Sequence, residues 1–226
     1  MTHRTAPHNT RYRSADADDN QSAVHLLNEH GARIEYLPRF LAPVQADAFL
    51  AQVVSEVEFD SREASRVFVH GRWRDIPRLQ TAFGDDPAAI YRFSGNGAHA
   101  RPWAPSILAL RDRVARQTGR TPTFALVLKY DPLHHLGWHS DDERDLDPSA
   151  PIASLSLGAS CDFQFRPRER GAQPGTVTMR LDHGSLLLMW PPTNGRFLHC
   201  VPKRVGANTM RKGTRVNITF REMTKR

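Results

Sequence analysis

The chain has 226 residues, and its 31 basic and 24 acidic side chains give a formal net charge of +7 at pH 7. This length suits one domain with a sizeable core and a tail, and no apolar run approaches the length needed to span a bilayer. Residues 1–30 carry three basic and four acidic side chains, so the excess positive charge belongs to the rest of the chain. A basic domain favours a polyanionic partner, with solubility as the alternative explanation.

The cysteine content and the N-terminus indicate the cellular location. Cys161 and Cys200 are the only cysteines, and we expect both to be small buried apolar residues rather than reactive thiols. The N-terminal residues lack the apolar centre of a secretory signal. We therefore expect a reducing compartment, either nucleoid-associated cytoplasm or, in a eukaryote, the nucleus. We also expect a monomer without membrane association.

In chain order, the first half begins with a polar tail over residues 1–30, most of which we expect to be mobile. Apolar spacing and turn residues then predict four elements. They are a strand over 33–40, a helix after Pro43, a strand over 66–73 that enters a tight turn at Gly71, and a helix over 104–118 that ends at Gly119.

The second half is predicted to form a series of short strands separated by Gly, Pro and Asp turns. These strands cover residues 124–130, 152–157, 161–166, 176–181, 185–190 and 215–221. Such a run indicates a β-sandwich of the double-sheet jelly-roll type. Together with the two helices it predicts an α+β fold.

The stretch 138–143 offers a metal ion two ligands, His139 and Asp141, separated by one residue. In an extended backbone such residues project to the same side. His199 is the best candidate for a distant third ligand. Two imidazoles and one carboxylate leave positions open on the metal, as in non-haem Fe(II) oxygenases. A hydrolytic metal site and a solvated acidic turn are the alternatives.

The last predicted strand alternates polar and apolar residues with period two, which indicates a half-buried strand. Its polar face carries Arg215, Asn217, Thr219 and Arg221. Two guanidiniums beside an amide and a hydroxyl suit a small dicarboxylate, because arginine binds a carboxylate through two parallel hydrogen bonds. A basic face open to water is the alternative.

From about Val67 to Arg221 the chain resembles the AlkB-type Fe(II)/2-oxoglutarate-dependent dioxygenases, which reverse alkylation damage in nucleic acids. The resemblance is closest to the branch that acts on double-stranded DNA. It is carried, in the family's order, by residues 73–78, 82–85, 91–95, 138–143, 151–159, 182–189, 192–194 and 215–221. It implies a double-stranded β-helix (jelly-roll) core over 121–226, preceded by an N-terminal extension with a nucleotide-recognition lid over 31–120.

The resemblance also implies a set of cofactor contacts. Fe(II) would be bound by His139, Asp141 and His199, and 2-oxoglutarate would chelate it through its keto-acid end. The far carboxylate would be held by Arg215 with Tyr130 and Asn217, while Thr219 and Arg221 line the same pocket. Leu128 stands where the family has an asparagine, so one polar contact to the co-substrate is missing.

Substrate contacts follow from the same resemblance. His70 lies at the tip of a hairpin that pushes a side chain into the base stack, although the family relative has a larger aromatic ring there. Tyr91 and Phe93 belong to the lid, and Phe93 would stack on the extracted base. Asp142 and Glu143, beside the metal, would attract a cationic base. An ordinary turn, core aromatic residues and surface acids are the corresponding alternatives.

The implied activity is oxidative demethylation of 1-methyladenine and 3-methylcytosine in alkylated DNA, with dioxygen consumed and formaldehyde and succinate released. RNA is an open alternative substrate. The same residues also allow a 2-oxoglutarate-dependent hydroxylase of a protein or small molecule, or a non-catalytic nucleic-acid-binding relative. A zinc hydrolase would fit the three ligands but would leave Arg215 and Arg221 unexplained.

Overall fold

The computed structural model describes residues 24–27, 31–61, 66–69, 71–75, 78–86, 90–93, 96–130, 135–141, 143–169, 171–172, 175–203 and 213–224. Within these ranges the chain forms fifteen strands and three helices. They are β1 (Val24–Leu27), β2 (Arg33–Leu37), α1 (Pro43–Glu56), β3 (Arg66–Val69), β4 (Arg72–Asp75), β5 (Arg78–Gly84), β6 (Ile90–Phe93), β7 (Asn96–Arg101), α2 (Pro105–Thr118), β8 (Phe124–Tyr130), β9 (Leu136–His139), β10 (Ile152–Gly158), β11 (Cys161–Pro167), β12 (Val177–Leu181), β13 (Ser185–Trp190), α3 (Thr193–Arg196), β14 (Phe197–Val201) and β15 (Arg215–Arg221). None of the described helices has the length and apolar character needed to cross a membrane.

The strands form two packed sheets and a separate hairpin. The major sheet has the order β1-β2-β13-β10-β15-β8-β5-β7-β6, the minor sheet has the order β12-β11-β14-β9, and β3 and β4 form a two-stranded sheet. Neighbouring strands are antiparallel except for β5 and β7. Apolar side chains of both sheets pack into one cluster, in which Leu187 and Met189 of β13 meet Phe163 and Phe165 of β11. This double-sheet arrangement confirms the predicted jelly-roll core with flanking helices.

Helices α1 and α2 cover the outer face of the major sheet. Each begins with a proline at its first position, where the missing backbone N–H is not needed. In α2, Ile107, Leu110 and Val114 share one face and are completely buried. The helix ends at Gly119, whose φ of 69° supplies the left-handed cap. The sequence prediction of this helix is therefore confirmed.

Strand β15 lies within the major sheet, and each face has a different neighbour. Val216, Ile218 and Phe220 belong to the core beneath the two helices. The alternating polar side chains line a cavity between the sheets. All seven residues of the strand are buried, so the prediction of a half-buried strand was wrong, because the opposite sheet covers the polar face.

The close approach of β10 to the start of β15 depends on a glycine. Gly158 pairs with Arg215 and has a φ of +80°. A Cβ atom at this position would collide with the carbonyl oxygen of Thr214. The N–H of Ala159 donates a hydrogen bond of 2.9 Å to that carbonyl. Glycine at position 158 therefore allows the close approach to Thr214, and the hydrogen bond from Ala159 holds the backbone next to Arg215.

The structure bears on the predicted N-terminal tail and on the predicted boundary between the two parts of the chain. The tail predicted over residues 1–30 contains β1, which pairs with β2 at the edge of the major sheet and satisfies backbone groups there. The rest of that tail lies outside the described residues. The boundary at residues 120 and 121 stays a prediction, and the major sheet takes strands from both sides of it.

Candidate active site

The structure brings the three predicted metal ligands together. The ligand atoms of His139, Asp141 and His199 all lie within 4.8 Å of one another. His139 at the end of β9 pairs with His199 of β14 across the minor sheet, and Asp141 follows β9 by two residues. The imidazole centroids are 4.2 Å apart, and His139 Nε2 is 3.8 Å from Asp141 Oδ1.

Local contacts prepare both imidazoles for metal binding. His139 Nδ1 donates a hydrogen bond of 2.9 Å to the carbonyl oxygen of Gly137, which leaves the Nε2 lone pair for a metal. The ring of His199 stacks on Phe163 with centroids 5.4 Å apart. Burial lowers the pKa of His199 to about 3, although the carboxylate of Asp141 acts in the opposite direction. His199 is therefore neutral near pH 7, as a metal ligand must be.

Asp141 is held by a buried ion pair with the last residue of β15. Arg221 Nη2 donates a hydrogen bond of 2.8 Å to Asp141 Oδ2. Both side chains are more than nine-tenths buried. Burial raises the pKa of Asp141, but the charge of the Arg221 guanidinium and its hydrogen bond oppose this, and the net effect is a pKa well below the ordinary value. The carboxylate is therefore ionised, and Oδ1 points toward His139.

The triad opens into a cavity of about 530 Å³ between the two sheets. All five residues predicted to contact 2-oxoglutarate line this cavity: Tyr130, Arg215, Asn217, Thr219 and Arg221. Arg215 is 2% exposed, and its Nη2 donates to Ser156 Oγ at 3.2 Å. Its Nε and Nη1 are buried and have no hydrogen-bond partner within the described ranges. No carboxylate of the described residues pairs with this guanidinium.

The pairing of β15 with its neighbouring strands places other residues predicted to contact 2-oxoglutarate near Arg215. Tyr130 of β8 pairs with Arg215 of β15, and the guanidinium lies 4.8 Å from the centroid of the phenol ring. Asn217 has both amide hydrogens engaged, because Nδ2 donates to Ser154 Oγ at 2.8 Å and to the carbonyl oxygen of Leu155 at 3.0 Å. Its Oδ1 accepts a hydrogen bond of 3.3 Å from Thr219 Oγ1.

These residues fit both groups that the sequence predicts. Two imidazoles and an ionised carboxylate are the donor set of a non-haem Fe(II) site with open positions. In the same cavity, either Nε or Nη1 of Arg215, together with the second N–H of Nη2, can donate two parallel hydrogen bonds to one carboxylate of a small diacid such as 2-oxoglutarate. A hydrolytic zinc site has no use for this buried guanidinium, so the cavity favours the oxygenase.

The predicted substrate contacts are only partly among the described residues. Glu143 lines the cavity together with Asp141, and all of Glu143, Asp141 and Arg221 also line a second cavity of about 350 Å³. His70 and Asp142 lie outside the described residues. The backbone of Tyr91 and Phe93 belongs to β6, but their side chains lie outside the described part of the chain. These four assignments stay predictions.

Sequence reasoning did not identify several residues of the cavity wall. Gln80, Ser154 and Met189 line it, and Gln80 is almost completely buried. A possible signal for Gln80 was the alternation of β5, in which Arg78 and Gln80 share the face that points into the cavity. The pairing that places β5 beside β8 was not visible in the sequence.

Comparisons with known proteins agree with this site. Residues 33–221 match the model of the 2OG-Fe(II) oxygenase superfamily. The chain is 41% identical over 205 residues to DNA oxidative demethylase ALKBH2 of Mus musculus, which covers 87% of this chain and 82% of the relative. It is 32% identical over 198 residues to alpha-ketoglutarate-dependent dioxygenase alkB homolog 3 of Homo sapiens, which covers 84% of this chain and 66% of the relative.

A solved structure of OsALKBH1 has a TM-score of 0.57 and 16% sequence identity, and the match covers 84% of this chain and 96% of that chain. At this identity the similarity shows the fold alone. The family match, the sequence relatives and the metal triad agree on the chemistry, with Fe(II) as the metal and 2-oxoglutarate as the co-substrate. The chain is therefore a dioxygenase of the 2OG-Fe(II) oxygenase superfamily and belongs to its AlkB family, in the ALKBH2 branch.

Proposed function

We propose that this protein is a DNA oxidative demethylase that repairs N-alkylated bases, with 1-methyladenine and 3-methylcytosine as substrates. One observation carries the proposal: the metal triad, the buried guanidinium of Arg215 and the acid Glu143 line the same cavity. The identity to relatives named DNA oxidative demethylase ALKBH2 supports DNA as the substrate. We propose that the enzyme acts as a monomer close to its DNA, in nucleoid-associated cytoplasm or in a nucleus.

The residues around the cavity have different roles in binding and positioning the reactants. When bound, Fe(II) and 2-oxoglutarate supply, with dioxygen, the oxidation of the N-methyl carbon, which leaves as formaldehyde while the co-substrate becomes succinate and carbon dioxide. Arg215 anchors one carboxylate of the co-substrate, and Arg221 keeps Asp141 ionised and oriented. Gly137 and Phe163 fix the two imidazole rings. The protein therefore contributes positioning in a site closed between two sheets.

One acidic side chain on the cavity wall, Glu143, favours a methylated base. Methylation at N1 of adenine or N3 of cytosine leaves the base positively charged and unable to pair. Glu143 is partly buried on the cavity wall next to Asp141, and a carboxylate at low local dielectric attracts such a ring more strongly than a neutral one. A base that cannot pair also costs less to flip out of a duplex.

Basic side chains lie beside the strand that carries the first metal ligand. Arg166 and Arg168 lie two residues apart, on β11 and just after its end, and both are exposed. Arg166 lies 4.4 Å from the ring centroid of Trp138, and Arg168 donates a hydrogen bond to Ser140 Oγ. These guanidiniums support binding of the phosphate backbone near the cavity mouth, in line with the net charge of +7.

The test is iron- and 2-oxoglutarate-dependent release of formaldehyde from oligonucleotides of one sequence, prepared as methylated single-stranded DNA, methylated duplex DNA and methylated RNA. We expect turnover on DNA and its loss in His139→Ala. The exposed His135, four residues earlier, provides a matched control, because His135→Ala removes an imidazole outside the triad and should retain turnover.

Three results would contradict the proposal, and each identifies a different function. Faster turnover on methylated RNA than on methylated DNA would show that RNA is the substrate. Succinate formation with a protein or small molecule, but not with any oligonucleotide, would indicate a hydroxylase and end the proposal. DNA binding without turnover, equal in the wild-type protein and His139→Ala, would indicate a non-catalytic relative.

A further inference from the structure

Residues of the major sheet form regular rows across the cavity floor. Arg215 pairs with Tyr130, and Tyr130 pairs with Arg78, which gives the first row. In the second row Asn217 pairs with Leu128, and Leu128 pairs with Gln80. The fourth row ends at Arg221, which holds the metal ligand Asp141. A ligand that joins Arg215 to the triad therefore lies across the second row.

The second row has one amide that is not already used. Both amide hydrogens of Asn217 are engaged by Ser154 and by the carbonyl oxygen of Leu155, and Leu128 has no polar atom in its side chain. Gln80 lines the cavity and is only 2% exposed, and within the part of the chain that the structure describes its Oε1 is buried without a hydrogen-bond partner. A buried polar side chain in this condition is expected to have a partner in the functional state.

We propose that the side-chain amide of Gln80 donates a hydrogen bond to 2-oxoglutarate and so helps to hold it between Arg215 and the metal. The proposal depends on the co-substrate of the family and not on the identity of the nucleic acid. Gln80 and Leu128 are direct partners on antiparallel strands, so their Cα atoms are roughly 5 Å apart. Both residues line the cavity, and a glutamine side chain is long enough to extend from β5 over this partner.

The amide can present its donor to a carboxylate. The last torsion of a glutamine side chain is broad and twofold, so a half-turn places Nε2–H where Oε1 lies. A hydrogen bond from a neutral donor to a charged acceptor is stronger than one between neutral groups. Its loss should weaken binding of 2-oxoglutarate about 10- to 100-fold.

The experiment measures the Kd of 2-oxoglutarate by isothermal titration calorimetry with Mn(II) in place of iron, so that no turnover occurs. Gln80→Leu removes the amide at similar size, and Gln80→Glu adds a like charge with almost the same shape. We expect both to weaken binding of 2-oxoglutarate and to leave the affinity for Mn(II) alone unchanged. Gln52→Leu, at an exposed position on α1, is the matched control and should bind like the wild-type protein.

A rescue variant separates hydrogen bonding from a structural role. Gln80→Leu combined with Leu128→Asn returns an amide to the row from the neighbouring strand, and we expect it to recover at least part of the lost affinity. The Gln80 proposal would be overturned if Gln80→Leu bound 2-oxoglutarate with wild-type affinity, or if this variant raised only the KM for the methylated oligonucleotide. Neither result would affect the assignment of 2-oxoglutarate as the co-substrate. Failure of the wild-type protein to bind 2-oxoglutarate would overturn the co-substrate assignment and this proposal with it.

Discussion

Replacing Arg215 by methionine should change stability and co-substrate binding in opposite directions. The guanidinium is 2% exposed, and among the residues that the structure describes it donates one hydrogen bond, to Ser156, and has no partner for Nε and Nη1. A buried charge without a counter-ion destabilises the folded state by several kcal/mol. Contact with the ring of Tyr130 at 4.8 Å offsets part of this cost, because a desolvated cation–π contact is worth about 1–2 kcal/mol.

These contributions give the expected magnitudes. Methionine fills a similar volume without charge, so the free energy of unfolding of the metal- and ligand-free protein should rise by about 1–3 kcal/mol. Each hydrogen bond to a charged group is worth roughly 1.5–3 kcal/mol. Loss of two such bonds to the carboxylate should therefore weaken binding of 2-oxoglutarate by about 10²- to 10⁴-fold.

Urea unfolding of the metal-free protein, with isothermal titration of 2-oxoglutarate in the presence of Mn(II), measures both effects. Arg116→Met, at an exposed position of α2, is the control for loss of one positive charge and should change neither quantity. A ligand-free Arg215→Met protein that is much less stable than the wild type would show that the guanidinium stabilises the fold. Unchanged affinity for 2-oxoglutarate would show that its carboxylate binds elsewhere.

Three further predictions concern the metal, the backbone and pH. His139→Ala should lose high-affinity Mn(II) binding in a titration, whereas His135→Ala should retain it. Gly158→Ala forces a left-handed φ on an L-residue and a collision with the Thr214 carbonyl, so urea unfolding should show a loss of about 1–3 kcal/mol, and an unchanged free energy of unfolding would contradict this. Burial raises the pKa of Tyr36 above its ordinary value of 10.0. Its neutral phenol therefore contributes stability that is complete below pH 10 and is lost as the pH rises through the folded-state pKa. Between pH 9 and 11 the Tyr36→Phe protein should lose less stability than the wild-type protein, and equal losses would refute the assignment.

The metal ligands were predictable from the sequence because the signal was local and chemical. His139 and Asp141 are two residues apart, and their side chains need only an extended backbone to converge. His199 was added from its residue type and from the family resemblance, and the pairing of β14 with β9 places it opposite His139. Six strands between residues 124 and 221 were also predictable, because Gly, Pro and Asp mark their turns, whereas β9 and β14, which carry His139 and His199, were not predicted as strands.

Burial of the polar residues was harder to predict. Period two in β15 shows that the two faces differ, but it does not show what covers the polar face. A polar face open to water and one enclosed against a second sheet have the same sequence pattern. Gln80 was missed for a related reason, because its neighbours Leu128 and Asn217 come from strands that are 48 and 137 positions away in the sequence. Only the sheet register shows that they share a row.

Strand β15 explains why stability and chemistry are linked in this protein. Its apolar face, which includes Ile218 and Phe220, lies in the core beneath α1 and α2, and its polar face carries Arg215 and Arg221 at opposite ends of the cavity. A shift of the register by one residue would move both arginines into the apolar core and the apolar residues into the cavity. The cost of burying two guanidiniums in an apolar core therefore excludes the slipped register, and the residues that bind the co-substrate also specify how the central strand pairs.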